Sequence, residues 1–161
     1  MSVEKSSVAS ESEEKVLSIT RVFDAPRHLV FEAWTRPEHL KRWFAAHGFD
    51  IPCAEWEMKP GGAWHSSMSK PNGLLLKMGG ICQEIVPDEK LVLTHAWDVE
   101  TGGTGHETVI TVTFEDQGEK TLMHFHQAFF LSKEVRDDHR GGWNEFFERL
   151  EAYLADTRKE S

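Results

Sequence analysis

The stretch that most constrains this chain is its last one, residues 132–157, which reads as a single long amphipathic helix in need of a surface to cover. Trp143, Phe146, Phe147, Leu150, Tyr153 and Leu154 recur at steps of three and four, the apolar face of a 3.6-residue period. Glu145, Glu148, Arg149, Glu151 and Asp156 fill the opposite, polar side. Ser132 suits the N-cap, Glu134 follows where the helix dipole favours a negative charge, and Arg158 and Lys159 come where it favours cations. Gly141-Gly142 interrupts the pattern, at a cost of about 1 kcal/mol per glycine relative to alanine. The pair predicts one of three things: a bend, a loop before a shorter helix starting near Trp143, or room for something to pass under the helix, close over the sheet or a ligand.

The preceding chain supplies the surface. Residues 16–23 alternate as a strand with Leu17, Ile19, Arg21 and Phe23 on one side. Asp24 or Ala25 is expected to cap a helix with Pro26 in its first turn and Leu29, Val30, Ala33 and Trp34 as its stripe. Thr35 is expected to cap a second short helix through the capping box Thr35-Arg36-Pro37-Glu38, burying Leu40, Trp43 and Phe44. Six more strands follow, at 53–58, 63–69, 74–86, 91–97, 106–114 and 121–129, punctuated by Gly-, Pro-, Asn- and Asp-rich turns. Gly79-Gly80 reads as a bulge or bend, and residues 98–105 as a loose loop. Strands in succession, with helices only early and last, predict an α+β fold. A curved antiparallel sheet of about six to seven strands would wrap around the C-terminal helix. One helix cannot fill a strongly curved sheet, so a cavity is expected between them.

Composition narrows the function. The 27 acidic residues against 18 basic ones give a net charge of −9, which disfavours nucleic acid and anionic membranes as partners. No apolar run approaches the roughly 18 residues of a membrane span. Residues 1–14 are rich in Ser and Glu, without the apolar core of a signal peptide, and are expected to be a disordered tail to a single domain at 15–158. Cys53 and Cys82 alone do not make a disulfide framework or a zinc site, and fit a reduced, cytoplasmic setting.

The candidate chemistry centres on histidines. His124-x-His126, with His95 or His106 and Glu107 nearby, has the ligand types of a metal site. Met123, Phe125 and Phe129 mark the inner face of that strand, however, which turns His124 and His126 outward, so neither metal nor cofactor is expected. There is no Gly-x-Ser-x-Gly elbow, no cysteine at a helix N-terminus, and no lysine after Gly102-Gly103-Thr104-Gly105 to make a phosphate cradle. His95 would stand in the cavity, favoured as the neutral imidazole, if it shares the face of Leu91, Leu93 and Trp97. The expected lining is aromatic with a few polar or soft groups: Trp64, Ser66, Met68, His95, Trp97, Met123, Phe125, Gln127, Gly142, Trp143, Phe146 and Phe147. Such a mixture suits an apolar or aromatic small molecule.

Several segments resemble a known family. They are Phe31-Glu32-Ala33-Trp34-Thr35-Arg36-Pro37-Glu38-His39-Leu40 with Trp43; Pro60-Gly61-Gly62-Ala63-Trp64; Glu84-Ile85-Val86-Pro87 followed by Leu91-Val92; and Gly141-Gly142-Trp143 leading to Leu150 and Tyr153-Leu154. Together with the element order they resemble the helix-grip fold of the START-like, birch-pollen-allergen superfamily. Within it they resemble the family named after the C-terminal domain of the activator of the heat-shock-protein-90 ATPase. The resemblance implies the fold, but its motifs are packing residues and leave the activity open. Three functions follow as expectations: small-molecule binding first, a chaperone-regulating or stress-response interaction second, and a cyclase- or hydrolase-like enzyme using pocket acid/base groups third. The chain would act as a monomer or homodimer.

Overall fold

The computed structural model describes residues 13–160, so the expected tail lies outside the described residues except for Glu13 and Glu14. Strand β1 (Leu17–Phe23) is followed by helices α1 (Arg27–Thr35) and α2 (Pro37–Trp43). Strands β2 (Asp50–Trp56), β3 (Ala63–Ser69), β4 (Leu75–Val86), β5 (Lys90–Trp97), β6 (Thr108–Gln117) and β7 (Lys120–Ala128) come next, and α3 (Lys133–Glu160) closes the chain. The seven strands form one sheet in the order β1-β7-β6-β5-β4-β3-β2, every neighbouring pair antiparallel. This is the α+β helix-grip arrangement expected from the sequence.

The helix pair is built differently at its joint. Thr35 does not cap α2. It ends α1, and its hydroxyl donates back to the Phe31 carbonyl at 3.0 Å. The cap position belongs to Arg36, which Pro37 holds extended at φ −107°, ψ 125°. Likewise Pro26, not Asp24 or Ala25, stands at the cap of α1. The break at Arg36 lets Trp34 and Trp43 meet edge to face, with ring centroids 5.0 Å apart.

Gly79 and Gly80 do not mark a bulge. The register shift in β4 lies between Cys82 and Glu84. The glycines instead admit the flanking strands: a Cβ at Gly80 would collide with the Thr94 carbonyl, and one at Gly79 would lie 2.6 Å from the Trp64 carbonyl. Loop 98–105 is likewise not loose. It contains a 3-10 turn, Val99–Thr101, capped by the Asp98 carboxylate, and Thr101 Oγ1 accepts from the Lys77 amide at 3.0 Å.

Helix α3 runs unbroken through Gly141-Gly142, with Ser132 capping it as expected: its Oγ accepts from the Val135 amide at 3.2 Å. Neither a loop nor a close passage explains the glycines, because a Cβ at either position would meet no heavy atom within 4 Å. Replacing Gly141, which is exposed, by alanine should therefore raise stability by about 1 kcal/mol through helix propensity alone, measured by urea denaturation.

Arg149 does not point to solvent with the polar side of the helix. Its Nη1 donates to the carbonyls of Ala46 and Phe49, both at 2.9 Å, pinning the α2–β2 connection beneath α3. Among the described residues no helix is long and apolar enough to cross a membrane. Arg149→Ala leaves two loop carbonyls without their charged donor, so the same denaturation experiment should show a loss of about 2 kcal/mol.

Candidate functional site

Two neighbouring chambers open beneath the N-terminal half of α3. The first, of about 290 Å³, has a buried floor of His95, Thr108 and Phe130 and walls that include Leu76, Trp97, Val135 and His139. Exposed Gly102, Thr104, His106 and Leu131 mark its mouth. The second, of about 260 Å³, lies among Ala46, Met68, Met78, Trp97, Asp138, His139, Gly142, Trp143 and Phe146. Gly142 faces this space, which is why a Cβ there would touch nothing.

Trp97 and His139 belong to both chambers and form the partition between them. The Trp97 indole N–H donates to His139 Nε2 at 2.8 Å. An indole nitrogen can only donate, so His139 Nε2 accepts and the ring proton sits on Nδ1, where it donates to the Val135 carbonyl at 2.8 Å. Burial holds the His139 pKa below its ordinary value, which keeps this neutral tautomer.

Most other polar groups here are committed to the scaffold. Trp143 Nε1 donates to Gln127 Oε1 at 2.8 Å, Gln127 Nε2 donates to Thr108 Oγ1 at 2.8 Å, and that hydroxyl donates to the His95 carbonyl at 3.2 Å. Trp64 Nε1 donates to the Thr94 carbonyl, and Ser66 Oγ accepts from Trp56 Nε1. His95 is the exception. It is 2% exposed, faces inward with Leu91 and Leu93, and its Nε2 has no protein partner. Rings of Trp97, Trp64, Trp143 and His139 surround it at centroid distances of 5.4 to 6.2 Å. Burial, with a smaller contribution from His139, pushes its pKa down to about 3.

The residues expected to form the site thus divide. His95 and Trp97 line the first chamber, and Met68, Trp97, Gly142, Trp143 and Phe146 the second. Trp64, Met123, Phe125, Gln127 and Phe147 are buried but line neither chamber, and Ser66 borders a separate groove with Cys53 and Lys77. Sequence reasoning missed Leu76, Met78, Phe130, Val135 and His139. The last two carried a signal: Val135, His139 and Trp143 are spaced by fours, a continuation of the apolar stripe past the glycines. His124 and His126 are exposed on the outer face, as their alternation with Met123 and Phe125 implied. His106 sits at the mouth of the first chamber, its Nε2 donating to the Phe129 carbonyl at 2.6 Å. Among the described residues no three of His, Cys, Asp and Glu converge as a metal-ligand group.

His95 sets a pH dependence. Its folded pKa of about 3 lies below the unfolded value of 6.5, so between those values the unfolded chain binds the extra proton. Stability is therefore complete above pH 6.5 and lost as pH falls, by about 1.4 kcal/mol per pH unit. Between pH 7 and pH 5 the wild type should lose about 2 kcal/mol more than His95→Phe, read from paired denaturation curves. Equal losses would show that His95 is not held neutral.

Comparison with known proteins agrees with this fold. A structure from Chromobacterium violaceum superposes with a TM-score of 0.78 at 22% identity, covering 87% of this chain and 97% of its own. A solution structure from Arthrobacter aurescens gives 0.78 at 24% identity, covering 89% and 88%, and a structure from Rhizobium leguminosarum 0.73 at 25%, covering 88% and 94%. No curated protein matches the sequence. The family described as Activator of Hsp90 ATPase homolog 1-like protein matches residues 24–155, and the chain belongs to that family.

Proposed function

We propose that the protein binds an uncharged, apolar small molecule in the chambers between the sheet and α3. The observation that carries this reading is the first chamber: apolar walls, an open mouth, and one buried imidazole with an uncommitted nitrogen. Most ligand sites combine a concave apolar surface with a few polar groups of this kind, at about 300–1,000 Å³. At about 290 Å³ a single chamber suits a compact ligand of one or two rings. An acid/base enzyme is a weaker reading. A general acid or base works best with a pKa near the operating pH, whereas that of His95 is about 3. Both nitrogens of His139 are already engaged.

A second reading, a chaperone-interacting module, draws on the family's name and on apolar side chains near the mouth of the first chamber. Phe129 and Leu131 are 62% and 51% exposed there. Co-purification with an Hsp90-type chaperone that is lost in Phe129→Ser with Leu131→Ser would favour this reading over the first.

The binding reading is tested with N-phenyl-1-naphthylamine, an uncharged dye whose fluorescence rises in apolar surroundings. The wild type should take it up with saturation. Gly142→Leu puts an isobutyl group into the second chamber and should weaken uptake by about tenfold if the dye extends past the partition. Val135→Trp, which fills the first chamber, should weaken it by as much or more. A folded wild type without saturable uptake, or two folded variants that bind like the wild type, would overturn the assignment.

A further inference from the structure

The face of the sheet turned away from α3 carries a groove that the binding reading does not use. Met68 and Met78 line the second chamber, so Ser67, Lys77 and Gly79, one step along their strands, face outward. Cys53, Ser67 and Lys77 are register partners across β2, β3 and β4. Glu55, His65, Gly79 and Ala96 make the next outward row, reaching β5. Gly79 and Ala96 raise almost nothing above the sheet, and Val99 and Gly105 wall the far side, which leaves a hollow of about 530 Å³. The His65 ring leans over its floor, with Nδ1 3.0 Å from where a Gly79 Cβ would stand.

This groove holds a hydroxyl with nothing to bond. Ser67 is only 5% exposed, yet among the described residues its Oγ has no hydrogen-bond partner. Unlike His95 Nε2, that oxygen is not sealed off, and the surface it keeps opens on the groove. Directly opposite stands the half-buried Cys53 thiol, at the Cβ separation of about 4.5–5.5 Å usual for opposed residues. The other candidate nucleophiles are less suited. The Lys77 ammonium is held by Glu100 at 3.7 Å. Cys82 is fully buried on the inner face, and burial pushes its thiol pKa up.

We propose that this groove takes a flat α,β-unsaturated carbonyl compound, which Cys53 captures covalently while Ser67 Oγ donates to the carbonyl oxygen. The conjugated plane lies over Gly79 and Ala96, where a larger side chain would lift it off the sheet. The thiol gives its proton to water and its sulfur bonds to the β-carbon. The alkene electron pair shifts toward the carbonyl oxygen, where the Ser67 hydroxyl meets the enolate charge, and water then returns a proton to the α-carbon. The product is a thioether, formed without oxidant or reductant. This assignment is independent of the chambers beneath α3.

The experiment uses the full chain and two reagents, cyclohexenone and dipyridyl disulfide. The disulfide attacks the same thiol but has no carbonyl oxygen for Ser67 to hold. Rates are followed by intact mass, and the adduct is located by peptide mass spectrometry. In the wild type one cyclohexenone adduct should form, at Cys53, with a rate that saturates. Ser67→Ala should lower the ratio of the cyclohexenone rate to the disulfide rate by about tenfold, the worth of one hydrogen bond in the transition state. Ser67→Thr, which keeps the hydroxyl, should restore it, whereas a merely structural role would move both rates together. Ala96→Leu fills the hollow and should abolish saturation, a second test should the alanine variant not fold. An unchanged ratio in folded Ser67→Ala overturns the assignment. So does an adduct on His65 or Cys82, or a wild-type rate that rises linearly and no faster than that of glutathione.

Discussion

The site depends on the hydrogen bond from Trp143 to Gln127. Trp143 is nearly buried where α3 crosses the sheet, packed between the tilted rings of Phe125 at 4.7 Å and Phe146 at 4.8 Å, with Trp34 stacked behind it at 6.5 Å. Ring packing fixes a plane but tolerates sliding along it, whereas the 2.8 Å bond to Gln127 Oε1 fixes position. Gln127 is itself held by Thr108, on the neighbouring strand β6, and Thr108 by the His95 carbonyl on β5. One relay thus ties α3 to three successive strands, and its last member presents the imidazole at the chamber floor. Broken anywhere, it would leave a buried amide or indole unsatisfied, at about 1–3 kcal/mol for each group.

With Trp143 fixed, the space on its N-terminal side follows. Side chains at 135, 139, 142, 143 and 146 share the helix face over the open end of the sheet. Two of them, Val135 and Gly142, are too small to reach the far wall. The helix keeps its hydrogen bonds through the glycines and gives up propensity, about 1 kcal/mol for each. At Gly142 that loss accompanies an absence of contact, not a close contact, which is the signature of retained space rather than of tight packing, whereas Gly141 faces solvent.

Much of the fold was legible because its signals are local. Alternation in β6 and β7 separated Ile110, Val112, Met123 and Phe125 from the exposed His124 and His126, and the 3.6-residue stripe located α3. The sequence left the face of His95 open, and the structure puts it on the inner one with Leu91 and Leu93. The helix joint was misread because Thr35-Arg36-Pro37-Glu38 satisfies the capping-box pattern, while Pro37 shifts the break to Arg36. Arg149 was misread because helical periodicity assigns a face, not the loop that folds over it. The site was only half legible for a related reason. Leu76 and Phe130 come to the chamber through tertiary contacts with no periodic trace, and Val135 and His139 lie on the far side of the glycine pair from the apolar face that begins at Trp143.

On the proposed binding reading, the partition would also set how large a ligand the fold can hold. Trp97 is half-buried at the end of β5, and the pinned loop that follows fixes its backbone, since a Cβ at Gly103 would lie 2.5 Å from the Trp97 carbonyl carbon. Its side chain is held to α3 by the single bond to His139. Breaking that bond costs about 1 kcal/mol net if the freed groups meet water or a polar ligand atom, and about 1–3 kcal/mol if they remain dry. Burying one extra ring against Met68, Met78 and Phe146 returns about 25 cal/mol for each Å² removed from water, so some 80 Å² of new contact offsets a mid-range loss. A ligand confined to the first chamber leaves the partition closed. On the proposed binding reading, one that is a ring longer would gain enough by entering the second to open it.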